Sequence, residues 1–418
     1  MTRLSGAASL LHNRVVTTNF APGRKGGEDQ NTMSDVVIVG AVRTGMGKRN
    51  GSLSGVHPVT LGSIVLSEVV ERGGIKKEQV EYIVFGCVSQ VGEQGVNVGR
   101  NAMLAAGFPY TIPATSVDLQ CGSSQQALHF AANLITSGVC DVAIAGGVES
   151  MSRVPMGSSI VSMPGQQPFT PEILEQYELT SQGISAEKIA KQWHISREDC
   201  DRFGARSQQR AAIARAEGKF AAEIVPVPIN REGSPAEFAD DEGIRPGTTP
   251  ETLATLKPSF AEDGTLHAGN SSQITDGAAA VLLMSAAKAK ELGVKPRARI
   301  VAQTVVGSDP ELMLTGPIGA TEDVLRRAGL KLDQIDRVEI NEAFAPVVLA
   351  WEKELHPDME KVNVNGGAIA LGHPLGCTGA RLMTSLLYEL ERSGTRYGLQ
   401  TMCCGGGLGT GTIIERLD

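Results

Sequence analysis

A single histidine, His373, stands in the glycine-rich run NVNGGAIALGHPLGCTGAR, which begins at Asn363 and ends at Arg381. Gly366, Gly367, Gly372, Gly376 and Gly379 remove side chains where a substrate or another backbone must come close, leaving the His-Pro pair on bare backbone. Histidine exchanges a proton near neutral pH, so a site built this way suits proton transfer. The second candidate is Cys121, within Thr115–Ser152, TSVDLQCGSSQQALHFAANLITSGVCDVAIAGGVESMS. It follows a β-type run and is expected to begin a helix whose apolar face includes Leu128, Ala131, Ala132, Leu134 and Ile135. The free amides and positive dipole end of a helix start favour thiolate, the form that attacks carbonyls. Gly122, Ser123 and Ser124 leave the sulfur approachable. Free cysteines are commonly buried packing residues, and Cys140, on the following strand, takes that reading.

The remaining cysteines are Cys87, Cys200, Cys377, Cys403 and Cys404. An odd total of seven, scattered without a secretory signal, fits reduced thiols in a cytoplasm-like compartment. None has metal-ligand spacing, since Cys403-Cys404 is contiguous and has no nearby histidine, so no metal is expected. The chain of 418 residues has room for two or three domains. Its 41% apolar content with only 4% aromatics and 49 glycines predicts tightly layered helices and strands. A net charge of 38 − 46 = −8 makes nucleic acid an unsuitable partner. No apolar run reaches the roughly 18–20 residues needed to span a bilayer.

The elements that must position these residues begin at Asp35. Before it, residues 1–34 carry Arg3, Arg14, Arg24 and Lys25 ahead of the first acid, Glu28, with no sustained hydrophobic period. Met33-Ser-Asp before VVIVGAVRT has the form of a natural start, so the extension is expected to be disordered, and an upstream mis-called start is preferred to an arm or a transit peptide. Strands are predicted over Val36–Val39 and Val80–Phe85, and helices over Leu61–Glu71 and Asn97–Ala106. This alternation implies βα units around a buried sheet covered on both faces. Gly40–Lys48, GAVRTGMGK, has the outline of a phosphate loop but puts Met46 where the lysine must stand.

Ser152–Gln182 reads as an irregular covering loop, and Pro226–Pro258 as turn-rich. Between them, helices at Ala186–Trp193 and Arg197–Lys219 carry Lys188, Lys191, Arg197, Arg202, Arg206, Arg210, Arg215 and Lys219. Two readings stand: a solvated face interleaved with acids, or a face that draws a polyphosphate to an acidic protein. His267–Ala279 is a second small-residue loop, where Gly269, Asn270, Ser271 and Ser272 could line a ligand. After Val294 the architecture begins again, with strands at Ala298–Val305 and Val338–Ile340 flanking a helix at Thr321–Ala328. Cys121–Gly138 and Cys377–Gly394 share a small-residue start, an apolar helix and a terminal Ser-Gly, and each leads through a strand to a glycine cluster. Two similar halves packed face to face, with the site where their loops meet, are the expectation.

DLQCGSSQQA, GGVESMS, NEAFA, NGGAIALGHPLGCTGAR and the terminal CCGGG occur in the order found in the thiolase family, which this chain resembles over residues 35–418. The resemblance implies an α/β fold, the five-layered αβαβα sandwich of two similar halves with an inserted loop domain. The halves would be 35–150 plus 275–296 and 297–418, with 151–274 as the loop domain that binds coenzyme A. It implies cleavage of a 3-ketoacyl-CoA by coenzyme A, or the reverse condensation, with no tightly bound cofactor. By the same resemblance Cys121 is the nucleophile, Cys403 the second acid/base, and His373 the residue that activates Cys121 and donates to the thioester oxygen. Asn341 fixes a water beside that oxygen, and the amides of Cys121 and Gly405 form a second oxyanion hole. Coenzyme A contacts fall on Arg245, Thr252, Ala268 and Ser272, Thr252 replacing a commoner serine. The partners implied are acyl-CoA and coenzyme A, with a homodimer or homotetramer as the assembly.

Two departures bear on subtype. Ser181-Gln182 stands where short-chain biosynthetic thiolases carry His-Met, and Leu375-Gly-Cys377 where they usually have Ile-Gly-Ala. Both are more like degradative 3-ketoacyl-CoA thiolases, including those acting on bulky steroid side chains. Three alternatives remain open: a ketoacyl synthase, which needs two active-site histidines that His267 and His356 do not supply by motif; a non-catalytic acyl-CoA binder or structural subunit of a β-oxidation assembly; and a cysteine hydrolase, which needs an acid-oriented histidine.

Overall fold

The β-branched and small apolar residues of the strand segments in the two halves pair into a mixed sheet. A computed structural model describes residues 35–161, 165–166, 168–231 and 233–418, so the N-terminal extension lies outside the described residues. In the first half, strands β1 (Val36–Thr44), β2 (Tyr82–Gly86), β3 (Ala114–Val117) and β4 (Val142–Ser150) alternate with helices α1 (Pro58–Arg72), α2 (Val98–Ala105) and α3 (Ser123–Thr136). After the inserted segment, β5 (Thr275–Ser285) returns beside β1. That segment contains α4 (Gln182–Gln192), α5 (Arg197–Ala216) and α6 (Pro250–Ala254). The second half carries β6 (Ala298–Gly307), α7 (Gly316–Ala328), β7 (Arg337–Ile340), α8 (Ala345–Leu355), α9 (Ala368–Leu371), α10 (Thr378–Ser393), β8 (Tyr397–Cys404) and β9 (Leu408–Arg416).

The main strand order is β7-β8-β9-β6-β1-β5-β4-β2-β3. The two halves correspond across it. In the first, β1 pairs antiparallel with β5, β5 with β4, and β4 runs parallel to β2. In the second, β6 pairs antiparallel with β9, β9 with β8, and β8 runs parallel to β7. The parallel β2–β3 ladder has its counterpart in an isolated parallel bridge between Val338 and Val362. Even the irregularities match, with register shifts at Ile38/Gly40 and at Ile300/Ala302. The halves are joined by antiparallel β1–β6 pairing through Val37–Arg299 and Ile38–Ala298, which makes their strands continuous.

The expected layers follow from the clusters. Helix α1 turns Leu61, Val65, Leu66 and Val69 toward the outer face of the first half. Helix α3 contributes Ala127, Leu128, Ala131, Ala132 and Ile135 to the central layer, where α10 meets it with Ala380, Met383, Leu386, Leu387 and Leu390. The alanines let the helices approach closely, which is what the low aromatic content predicted. Trp351 of α8 is fully buried in the outer cluster of the second half and donates its indole N–H to Thr321 at 3.0 Å. Gly40–Lys48 lies largely in buried β1, confirming that it is no phosphate loop. Pro226–Pro258 holds more order than expected, with antiparallel strands Val227–Arg231 and Ser234–Phe238 and helix α6. Within the covering segment, Ser158–Val161 and Pro171–Gln176 are short helices.

Candidate active site

Cys121, Asn341 and Cys403 all lie at or just beyond the C-terminal ends of strands, the usual place for a site in a sheet with parallel segments. Cys121 does not begin α3, as expected, but sits one residue before its Gly122 cap. The preceding Gln120 has φ +51, a left-handed conformation costly for a non-glycine residue. The turn is held by Gly122 N–H to Leu119 O at 3.1 Å and Ser123 N–H to Gln120 O at 3.0 Å. Met151, Leu375, Leu382 and Met402 surround the thiol, which is 2% exposed.

The electrostatics reverse the simple helix-start expectation. Burial pushes the Cys121 thiol up to about 11, while the Gly405 N–H, the Gln182 side chain and its own N–H pull it down. Relative to an ordinary 9.0, that costs the thiolate roughly 3 kcal/mol. Desolvation outweighs the donors, so at neutral pH the sulfur is protonated and needs a base.

His373, the base that the family resemblance implies, has the properties such a role requires. Burial drives its pKa down to about 3, so the imidazole is neutral. Nδ1 lies 2.6 Å from Thr378 Oγ1, whose own proton goes to Pro374 O at 2.8 Å. Thr378 must therefore accept, which puts the ring proton on Nδ1 and leaves the lone pair on Nε2, where Asn341 Nδ2 approaches to 3.3 Å. The partner is a hydroxyl, not an acid, which counts against the cysteine hydrolase reading.

The loop carrying His373 is fixed from both sides. Gly372, at φ +101, passes close over Thr275, whose hydroxyl accepts the His373 N–H at 3.1 Å. Gly376 donates its N–H to buried Glu149 at 2.9 Å. Glu149 also accepts from Val88 N–H, Ser89 N–H and Gln94 Nε2 at 2.9, 3.0 and 2.8 Å. A Cβ on Gly147 would come within 2.0 Å of Gly376 O, so Gly147 of GGVES is needed for this approach, while Gly146 makes room for Ala279 O and the Phe85 ring.

Cys403 is fully buried at the end of β8, and burial together with the nearby Cys121 charge raises its pKa. Cys404, given no role by sequence, is equally buried and packs its sulfur toward Gly122. Gly405 starts the turn into β9, and Gly406 and Gly407 take φ of +83 and +78. Asn341 follows β7, takes a backbone bond from its N–H to Thr401 O at 3.1 Å, and is buried.

The four coenzyme A candidates lie toward the surface of the inserted segment. Arg245, Thr252 and Ala268 are exposed and Ser272 is half-buried. Thr252 lies on α6, and Gly269, beside Ala268, packs against Leu253 of the same helix. Arg245 N–H bonds Gln208 Oε1 of α5 at 2.7 Å, and Ser272 N–H bonds Ala343 O at 2.9 Å. The basic helices match the solvated-face reading. Arg197 pairs with Asp201 at 2.9 Å, Arg202 with Glu198 at 2.6 Å, Arg210 with Glu360 at 2.8 Å and Arg215 with Asp240 at 3.3 Å. His267 bonds Asp201 at 2.7 Å, His356 is exposed at the end of α8, and neither is placed as a second catalytic histidine.

Sequence reasoning passed over Thr378, Glu149 and Glu342. Glu342 accepts from Ser207 Oγ at 2.6 Å and Asn363 Nδ2 at 2.9 Å, tying α5 to the loop before α9. The available signal was a lone acid inside each small-residue motif, which only a buried hydrogen-bond role explains. All seven cysteines are free and buried, and among the described residues no cluster of three or more His, Cys, Asp or Glu could hold a metal. No helix among them is long and apolar enough to cross a membrane.

The chain matches the thiolase N-terminal domain over residues 36–287 and the thiolase C-terminal domain over 294–416. It is 48% identical to a steroid 3-ketoacyl-CoA thiolase, FadA6, of Mycobacterium tuberculosis, over 92% of this chain and 95% of that one. It is 46% identical to a 3-ketoacyl-CoA thiolase of Bacillus subtilis and 44% to an acetyl-CoA acetyltransferase of Thiocystis violacea, each over 92% of this chain and 100% of the relative. The crystal structure of the Bacillus anthracis acetyl-CoA acetyltransferase aligns with a TM-score of 0.86 at 42% identity, covering 93% of this chain and 100% of that one. With both domains matched in order on a repeated αβαβα scaffold, this chain belongs to the thiolase family of acyl-transferring enzymes.

Proposed function

We propose that this thiolase works in the degradative direction, cleaving 3-ketoacyl-CoA with coenzyme A to acetyl-CoA and a shortened acyl-CoA. The observation that carries the chemistry is a neutral His373 whose ring proton is held on Nδ1 by Thr378. This leaves on Nε2 a lone pair that meets only the long approach of Asn341 Nδ2 at 3.3 Å and can serve as base for the protonated, buried Cys121. His373 takes the Cys121 proton, and the sulfur attacks the C3 ketone. The amides of Cys121 and Gly405 meet the resulting alkoxide. Its collapse breaks the C2–C3 bond and expels the acetyl-CoA enolate, whose oxygen faces His373 Nε2–H. Asn341 Oδ1, buried with no protein partner among the described residues, is suited to hold a water there. Cys403 protonates C2; it then takes the proton of incoming coenzyme A, whose sulfur takes the acyl group from Cys121, and the departing Cys121 thiolate recovers its proton from His373.

Coenzyme A is assigned to the surface of Arg245, Thr252, Ala268 and Ser272, with the loop domain kept as 151–274 between halves 35–150 plus 275–296 and 297–418. A cytoplasmic homodimer or homotetramer is the assembly proposed. Ser181-Gln182 and Cys377, together with the 3-ketoacyl-CoA thiolase relatives, support long or steroid-tailed substrates over acetoacetyl-CoA. The relatives named acetyl-CoA acetyltransferase support the short-chain reading. Coenzyme A-dependent thiolysis on a panel from acetoacetyl-CoA through long-chain to steroid-tailed 3-ketoacyl-CoA decides between them. Turnover concentrated on the bulky members is expected; activity confined to acetoacetyl-CoA would overturn the degradative assignment.

A further inference from the structure

The Cys121 sulfur is approached by a side-chain donor that belongs to neither half of the repeat. Gln182 is the first residue of α4, in the inserted segment, and its carboxamide lies beside Gly405, close enough to Cys121 to lower its thiol pKa together with the Gly405 N–H. A Cβ built on Gly405 would lie 3.1 Å from Gln182 Nε2 and 3.3 Å from Gln120 Oε1, so two glutamines bracket the glycine whose amide faces the nucleophile. The start of α4 is held there by its surroundings. Ser181 caps the helix, and Gly183 sits so close to Phe260 that a Cβ would come within 2.1 Å of the ring. Phe260 in turn meets Phe344 edge-on at 5.6 Å, in the loop that carries Asn341. The packing of the inserted segment thus reaches the reacting atom through one carboxamide.

We propose that Gln182 is a catalytic residue that donates an amide N–H to the Cys121 sulfur while that sulfur is anionic. The inference rests on the thiolase reading above and deepens it. The sulfur carries negative charge twice per cycle, once after His373 removes its proton and once when coenzyme A displaces it from the acyl group. The backbone amides serve the oxygen of each tetrahedral intermediate, and a carboxamide on a longer arm serves the sulfur as it attacks and as it leaves. A methionine in this place supplies the same bulk without a donor, so the glutamine offsets part of the desolvation that burial imposes on the thiolate.

The test uses Gln182→Met and Gln182→Glu in the full-length enzyme. The readouts are steady-state thiolysis and the pH dependence of iodoacetamide alkylation of Cys121, located by peptide mapping. Q182M should lower kcat by roughly 10- to 100-fold with KM within about threefold, and should slow alkylation at pH 8 by about tenfold. Q182E should be slower still at that pH, because its carboxylate repels the thiolate. Should Q182M fail to fold, as judged by its melting temperature, Q182E carries the same test. Alkylation at the wild-type rate at every pH, with only the acyl-chain preference altered, would overturn the proposal and leave Gln182 as a wall of the pocket. Because alkylation is read at Cys121 without turnover, that outcome is distinguishable from failure of the thiolase reading, which would show as no coenzyme A-dependent cleavage by the unmodified enzyme.

Discussion

Cys121 and Cys377 occupy equivalent places in the two halves, each leading into a central-layer helix that packs against the other. Their surroundings differ in one turn of backbone. Before Cys121, Gln120 takes φ +51, and donors from Gly405 and Gln182 lower the thiol pKa against burial. Cys377 lies at φ −89, ψ −28, its N–H bonded to Pro374 O at 3.0 Å, and its sulfur is packed in the core. Burial lifts both thiols, to about 11 and about 12. A helix start and an elevated pKa are therefore common to both, and what separates Cys121, the proposed nucleophile, from Cys377 is the strained turn and the donors near it.

The largest effect should break this comparison cleanly. Replacing Cys121 by Ala is expected to cost thiolysis more than about 10⁴-fold, measured as coenzyme A-dependent loss of the 3-ketoacyl-CoA. Cys377→Ala should keep turnover within about threefold and lower the melting temperature by about 2 °C. Comparable losses in both would mean that the repeat, not the turn, governs reactivity.

Next come the residues proposed to handle protons. His373→Asn and Cys403→Ala should each reduce kcat by roughly 10²- to 10⁴-fold, a general acid/base loss. Thr378→Val removes the acceptor that fixes the His373 tautomer at 2.6 Å and should cost about tenfold in kcat with KM little changed. Unchanged turnover in the valine variant would show that the tautomer is set by something else.

The pH dependence sharpens the contrast. With Cys121 near 11 and His373 near 3, iodoacetamide alkylation of Cys121 should rise about tenfold per pH unit from 6 to 9. A preformed thiolate–imidazolium pair would instead give a plateau across that range. Stability should show the smallest effect. His129 in α3 and His373 are both depressed to about 3 by burial. Their contribution is present above pH 6.5 and is lost as pH falls toward 3, because the unfolded chain takes protons the folded one refuses. His129→Gln should flatten the fall in melting temperature between pH 7 and 5; an unchanged slope would remove this histidine from the account.

The elements that the sequence made legible are those whose signal is local. The Pro58–Arg72 helix shows its apolar spacing, and the glycines around His373 mark a backbone brought close to its neighbours. The repeat between Cys121–Gly138 and Cys377–Gly394 was readable because each half must bury the same faces. What stayed hidden depends on distant partners. Joining the halves through β1–β6 needs a pairing some 260 residues apart, as in Val37–Arg299, and no local pattern encodes it. The protonation of Cys121 was misjudged for a related reason. The helix-start donors can be read from neighbouring residues, whereas the desolvation that outweighs them comes from Met151, Leu375, Leu382 and Met402 on other segments. Glu149 and Thr378 sat inside recognised motifs, but their hydrogen bonds appear only once the loops meet.

The most direct test is a single-turnover experiment with a long-chain 3-ketoacyl-CoA and no free coenzyme A. The account predicts release of one acetyl-CoA per chain and an acyl adduct on the peptide that carries Cys121. An adduct on Cys377 or Cys403, or release of free acid without coenzyme A, would contradict it.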